Sequence, residues 1–172
     1  HQVMQERYLD RRQPIEKSSE EVMDKLGASL RHGVRLVDFF HYKWRDTEEA
    51  LHELIKSPGA RDRFDGYLLE YRNPLSGGPT MTTIQCAVKL LPANHETETH
   101  RHTSTVIYHV FRGTGATQIG ERRFDWEQGD SFVVPLWYVH RHLNRSSSED
   151  AILFSMSDAP VLKALDLYRE EA

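Results

Sequence analysis

From Tyr67 to Ser157 the chain consists of short apolar or alternating runs separated by turn signals. These fall at Asn73-Pro74, Ser76-Gly77-Gly78-Pro79, Pro92-Ala93-Asn94, Gly113-Thr114-Gly115, Gly120-Glu121 and Gly129-Asp130. Runs of this length bounded by Gly, Pro and Asn read as strands, and so many in succession leave an all-β barrel or sandwich as the architecture. The expected strands lie at about 67–71, 81–91, 105–112, 115–119, 122–125, 131–135, 138–143 and 151–156, taking boundaries from the turn residues.

Upstream the texture differs. Residues 1–17 are polar and of mixed charge and read as an arm. Ser18 with Glu21 forms a capping box before Val22, Leu26 and Leu30, which predicts a helix over 19–31. Val34 to Trp44 is rich in aromatic residues without clean periodicity, and Asp46 with Glu49 offers a second capping box for a helix over 47–56, ended by Pro58-Gly59. After the last strand, Asp158 is placed to cap a helix whose Val161, Leu165 and Tyr168 form an apolar stripe. The chain therefore divides into an N-terminal arm and helical segment, 1–66, and a β domain, 67–172.

The 172 residues carry a net charge of −4 with no basic block, which removes the phosphate neutralisation that nucleic-acid binding relies on. No apolar run approaches the ~18–20 residues of a membrane span, and no leader-like segment is present, so the expected location is cytoplasmic. Cys86 is the single cysteine and reads as a small core residue, so no disulfide forms within the chain.

Ten histidines stand against that one cysteine, and five of them lie between His100 and His142. Side chains in a strand alternate faces, so His100 and His102, one residue apart, point the same way. A third imidazole from a neighbouring strand completes a three-nitrogen cap, and His140 lies in a strand-like run 38 residues after His102. Imidazole suits Fe, Ni, Cu and Zn. The same alternation turns Ser104, Val106, Tyr108 and Val110 inward and Arg101 and Arg141 outward.

The spacing around these histidines is specific. Asn94, five residues, His100-Arg101-His102, three residues, Val106, six residues, Gly113 makes one block; Gly129, five residues, Pro135 and onward to His140 and Asn144 makes another. Together they resemble the two motifs of the cupin superfamily, with two departures: the family's glutamate ligand falls on Val106 and the glycine of the second motif on Trp137. Three histidines, no glutamate and a tryptophan in Pro135-Leu136-Trp137 resemble the gentisate 1,2-dioxygenase family, which includes 1-hydroxy-2-naphthoate and salicylate dioxygenases. Tyr71 to Pro79, and Leu153 to Asp158 with Leu167 to Glu171, are similar to that family's linker and C-terminal end. Members are usually bicupins of about twice this length, so the chain resembles the C-terminal half of one, with an N-terminal cupin half absent from this chain.

The resemblance implies a mainly β cupin fold, a double-stranded β-helix or jelly-roll barrel, with an N-terminal helical segment and a C-terminal helix. It implies Fe(II), with Ni or Zn able to take its place, on His100, His102 and His140. It also implies ring cleavage of a small aromatic hydroxy-carboxylate by O2, with His142 matching a histidine beside the family's site. His142 and Tyr108, whose hydroxyl can donate to a bound oxygen, are the catalytic candidates, and Trp137 and Tyr108 the candidate substrate contacts. Tyr108 stands where the catalytic half of such enzymes has an arginine for the substrate carboxylate, so only neutral donors are expected to hold that group here. Two other readings stay open: a metal-binding but non-catalytic second cupin, and a small-ligand-binding or isomerase-type cupin with His142 as base. A homo-oligomer is expected, because the edge of an open barrel sheet invites pairing and the Val34 to Trp44 segment could cover it in a partner.

Overall fold

The structure is a computed structural model that describes residues 40–74 and 76–172. The helix expected over 19–31, the arm and most of the Val34 to Trp44 segment lie outside the described residues.

Among the described residues ten strands and two helices follow in order: α1 (Trp44–Ile55), β1 (Tyr67–Glu70), β2 (Gln85–Leu91), β3 (Arg101–His102), β4 (Val106–Arg112), β5 (Thr114–Ile119), β6 (Arg122–Glu127), β7 (Ser131–Val134), β8 (His140–Leu143), β9 (Ala151–Ser157), α2 (Ala159–Ala164) and β10 (Glu170–Glu171). A five-stranded sheet runs β1-β2-β9-β4-β7, a three-stranded sheet runs β6-β5-β8, and β10 pairs with β3, all antiparallel. The two larger sheets are the walls of a jelly-roll barrel.

Strand alternation sorts the side chains into two cores. Inside the barrel, Leu91, Val106, Tyr108, Val110, Trp126, Val134, Ala151 and Leu153 pack together. On the outer face of the larger sheet, Leu69, Tyr71, Val88, Leu90 and Ile152 pack against Leu51 of α1. The alternation of β4 is as expected from sequence, with Val106, Tyr108 and Val110 buried and Ile107, His109 and Phe111 exposed. Tyr42 lies against Tyr71, with ring centroids 4.8 Å apart, and Trp44 against Phe111, at 4.1 Å. These two aromatics of the Val34 to Trp44 segment thus cover the chain's own sheet.

Several boundaries differ from the sequence expectation for identifiable reasons. Helix α1 starts at Trp44, with Lys43 as N-cap and no side-chain cap bond; the Asp46 carboxylate accepts from Arg45 Nε (3.3 Å) instead of capping. Strand β2 starts at Gln85, not 81, because Thr80 takes over the ladder: its Oγ1 accepts from the Cys86 amide (3.0 Å) and donates to the Tyr71 carbonyl (2.8 Å). Asp158 occupies the N-cap of α2, but its carboxylate accepts from the Thr105 amide (2.9 Å). The stripe expected along the last helix does not form, since α2 ends at Ala164 and Leu165 is 63% exposed. Asp166 takes φ +57° and turns the tail back to pair as β10 with the His-x-His strand.

Candidate metal centre

The backbone itself brings the three histidines together. His100 and His140 form an antiparallel bridge in which each amide donates to the other's carbonyl, at 3.0 and 2.8 Å. Residues directly opposite in such a bridge project side chains to the same face, so the two imidazoles meet, with centroids 4.3 Å apart. His102, two residues along and on the same face, lies 4.9 Å from His140 and 5.4 Å from His100. One ligand nitrogen from each ring lies within 4.8 Å of the others, and all three residues are buried.

Strand β3 is only two residues long, and its neighbours hold it in place. The Trp137 amide donates to the His102 carbonyl (2.7 Å) on one side. On the other, the Thr103 amide donates to the Arg169 carbonyl (3.0 Å), the Arg169 amide donates to Thr103 Oγ1 (2.9 Å), and Arg101 pairs with Glu171 (2.5 Å). Asn94 and Trp137, which flank the histidine strands, both have positive φ, +55° and +63°. Asparagine tolerates that conformation; a bulky tryptophan there is strained and is held by its bond to His102.

The ring nitrogens suit a metal. His140 Nδ1 donates to the Tyr138 carbonyl (3.0 Å) and His102 Nδ1 to the Ser104 carbonyl (2.8 Å), which leaves a lone pair on each Nε2. His140 Nε2 and His100 Nδ1 are buried with no hydrogen-bond partner among the described residues. A buried polar nitrogen without a partner is costly, and a metal ion supplies the missing contact. Burial pushes His100 down to about 4 and His140 down to about 3, so both rings are neutral near pH 7, the form that binds metal. No carboxylate belongs to the cluster, and Val106 packs in the barrel core.

His100 and His102 line a cavity of about 750 Å³ that also exposes Ser104, Tyr108, Ser155 and Lys89. Lys89 is the residue that sequence reasoning missed. It lies at an inward position of β2, with 2% of its side chain exposed, and its Nζ donates to Asp65 Oδ1 (2.6 Å) and to the Tyr108 hydroxyl (3.0 Å) and lies 3.5 Å from His142 Nε2. The expectation of purely neutral donors around Tyr108 is therefore corrected: a buried cation touches the phenol. A lysine at an inward position of an otherwise apolar strand was the available signal. Asp65 comes from the turn bridged by Asp62 and Gly66, so residues assigned by sequence to the N-terminal segment reach the barrel interior.

Burial alone would lower Lys89, but Asp65 and the Tyr108 phenol outweigh it and hold the amine above its ordinary value. Burial would likewise raise Asp65, and Lys89 reverses this. His142 is pushed well down by burial and then by Lys89, and is therefore neutral. Its Nδ1 lies 2.9 Å from Thr117 Oγ1, which in turn accepts from Trp126 Nε1 (3.0 Å). His142 thus connects the Lys89 and Tyr108 pair to the barrel core.

Trp137 is not among the cavity-lining residues; its ring lies under the Arg101 guanidinium, 4.7 Å from the centroid. Arg101 and Arg141 point outward, to Glu171 and Glu96 respectively. Phe64 stacks on His100 at 4.6 Å and closes one side of the centre. Asn144 ties backbone together, donating to the carbonyls of Leu91 and Glu149.

A barrel of this topology with convergent histidines on β3 and β8 defines a cupin metal centre, and residues 87–157 match the cupin-domain family. Residues 87–157 are thus a cupin domain, and the chain's similarity among cupins is to aromatic ring-cleaving dioxygenases. It is 43% identical over 131 residues to 5-aminosalicylate 1,2-dioxygenase of Comamonas sp, a match covering 76% of this chain and 34% of that protein. It is 39% identical over 131 residues to gentisate 1,2 dioxygenase 1 of Aquipseudomonas alcaligenes, covering 76% and 37%. The crystal structure of a salicylate 1,2-dioxygenase from Pseudaminobacter salicylatoxidans superposes with a TM-score of 0.68 at 30% identity, covering 76% of this chain and 38% of that one. A structure of that enzyme described as adducts with gentisate gives 0.69 at 31% identity. The chain spans about a third of the length of the curated relatives it matches. Among the described residues no helix is long and apolar enough to cross a membrane.

Proposed function

We propose that this domain is a ring-cleaving non-haem iron dioxygenase centre acting on a small aromatic hydroxy-carboxylate. The observation that carries the reading is the set of three buried imidazoles without a carboxylate, two of which, His100 and His102, line a cavity large enough for a single-ring acid. Divalent iron held by His100, His102 and His140 would keep its full charge and supply open positions for a chelating hydroxy-carboxylate and for O2.

The remaining roles belong to this chain's own side chains. Tyr108 directs its hydroxyl into the cavity beside Lys89 and donates to an oxygen of the bound acid. His142, neutral and anchored by Thr117, accepts or returns a proton through the Tyr108 and Lys89 contacts. Ser104 fixes His102 by accepting from its Nδ1, and the Tyr138 carbonyl does the same for His140. Trp137 acts on substrate indirectly, by holding the His102 backbone in register.

The test is metal analysis of the purified chain together with oxygen uptake on gentisate, salicylate, 5-aminosalicylate and 1-hydroxy-2-naphthoate. Iron at one equivalent and uptake with at least one acid, abolished in His100→Ala, is expected. Iron binding without uptake on any of the four would overturn the catalytic reading in favour of a supporting cupin.

A further inference from the structure

Lys89 is a buried cation inside a ligand cavity, and the roles above give its charge no part in holding the ligand. It points inward from the centre of β2, where its neighbours in register are Leu68 on β1 and Leu153 on β9. A lysine enclosed by apolar side chains is stable only if its charge is met, and the group that meets it is a single carboxylate, Asp65. The two partners are held very differently. Lys89 is fixed in the barrel wall with 2% of its side chain exposed, whereas Asp65 sits on a surface turn with 21% exposed. That turn is held by the Asp62 carboxylate, which accepts from the Phe64 and Asp65 amides at 2.7 and 3.0 Å. Of the two groups, the carboxylate is the one nearer to water.

The other cations lining the cavity are differently placed. Arg72 pairs with Glu70, and Lys163 lies over the Tyr168 ring, 4.8 Å from its centroid, on the exposed side of α2. Lys89 alone among them touches Tyr108, which shares the cavity wall with His100 and His102. We propose that Lys89 is the binding group for the carboxylate of an aromatic hydroxy acid in this cavity, and that the ligand's carboxylate exchanges with Asp65 on Lys89 Nζ. Exchanging one carboxylate for another conserves the buried charge, which favours a monocarboxylate over a phosphate dianion or an uncharged phenol. Lysine thereby supplies from β2 the cationic contact that Tyr108 fails to supply from β4. The proposal rests on the dioxygenase reading for its ligand class, but it concerns binding alone.

The experiment compares salicylate with salicylamide, which differ in the carboxylate charge, by calorimetric titration of the chain in metal-free and zinc-loaded forms. In at least one form the native chain is expected to prefer salicylate by ten- to a hundredfold, the loss typical of a missing charge-assisted contact. Lys89→Met is expected to bring the two ligands within about twofold in that same form. Asp65→Asn is expected to widen the preference by removing the internal competitor, and if that variant fails to fold the native and Lys89→Met comparison decides alone. Equal binding of both ligands by the native chain, no measurable binding of salicylate, or a preference that persists in Lys89→Met would each overturn the proposal. Oxygen uptake is not part of the readout. A chain that discriminates but consumes no oxygen removes the dioxygenase reading and keeps the lysine contact, and the reverse pattern removes only the lysine contact.

Discussion

Asp65 and Lys89 form a pair whose two halves should be unequal in stability, and the structure gives the sign. Asp65→Asn leaves the Lys89 ammonium in the barrel without a counter-charge, with a neutral amide oxygen at position 65, the Tyr108 hydroxyl and a histidine nitrogen 3.5 Å away as its contacts. Stranding a buried charge in this way typically costs about 3–5 kcal/mol. Lys89→Met removes the charge together with its need for a partner and keeps most of the apolar stem. What remains is a partly exposed Asp65 that water can reach and a Tyr108 hydroxyl short of one donor, so the expected cost is about 1–2 kcal/mol. The double variant Asp65→Asn/Lys89→Met should then be close to Lys89→Met alone, well short of the sum of the two single changes. Urea unfolding at pH 7 with chelator present, followed by tryptophan fluorescence, reads all four proteins. Equal costs for the two single variants, or strict additivity in the double, would refute the picture of a fixed amine and a releasable carboxylate.

Four further outcomes follow from the site and its supports. His100 and His140 titrate at about 4 and about 3 in the fold against an ordinary 6.5, so the unfolded chain binds more protons than the folded one between those limits. Stability of the metal-free protein should be fully present above pH 6.5 and fall as the pH drops towards 3, which acid titration by circular dichroism will show. Ser104→Gly should weaken metal affinity by no more than about tenfold, since the Ser104 carbonyl that accepts from His102 Nδ1 survives and only the hydroxyl 3.1 Å away is lost; competition with a chromogenic chelator measures it. Gly115→Ala places a methyl against the Leu143 carbonyl and the Trp126 ring, and should lower the unfolding midpoint while disturbing the Trp126, Thr117 and His142 chain; near-ultraviolet circular dichroism of the tryptophan reports it. Removing residues 167–172 deletes the β10 pairing to Arg101 and His102, and should weaken metal binding by more than it lowers stability, measured by the same chelator competition beside thermal melts.

Much of the barrel was legible because its rules are local. Gly113 and Gly129 have φ of +88° and +96°, Asn94 takes the same left-handed turn, and each marks a strand boundary that sequence placed within a residue or two. Alternation on β4 correctly separated Tyr108 from His109, since that pattern depends only on the pleat. The misplaced ends have a different cause. Thr80 shortens β2 and Asp158 leaves its cap for Thr105 through contacts between residues distant in sequence, and the tail turns into β10 by pairing with Arg101 and His102, some 70 residues earlier. Local propensity carries no information about such partners.

The site divides along the same line. His100, His102 and His140 are recoverable from spacing, because a two-residue period and a neighbouring strand suffice to converge them. Lys89 and Asp65 are 24 residues apart, and nothing in either local pattern names the other. Yet the inference that a missing arginine leaves the ligand without a cation looked along one strand only. A barrel interior is shared by every wall, so a charge absent at an inward position of β4 can be restored from β2, two strands away across β9. Lys89 brings a cation to this wall, with Nζ 3.0 Å from the Tyr108 hydroxyl. The position of a charge in such a cavity is set by the wall as a whole, and a substitution on one strand has to be read together with the inward residues of its neighbours.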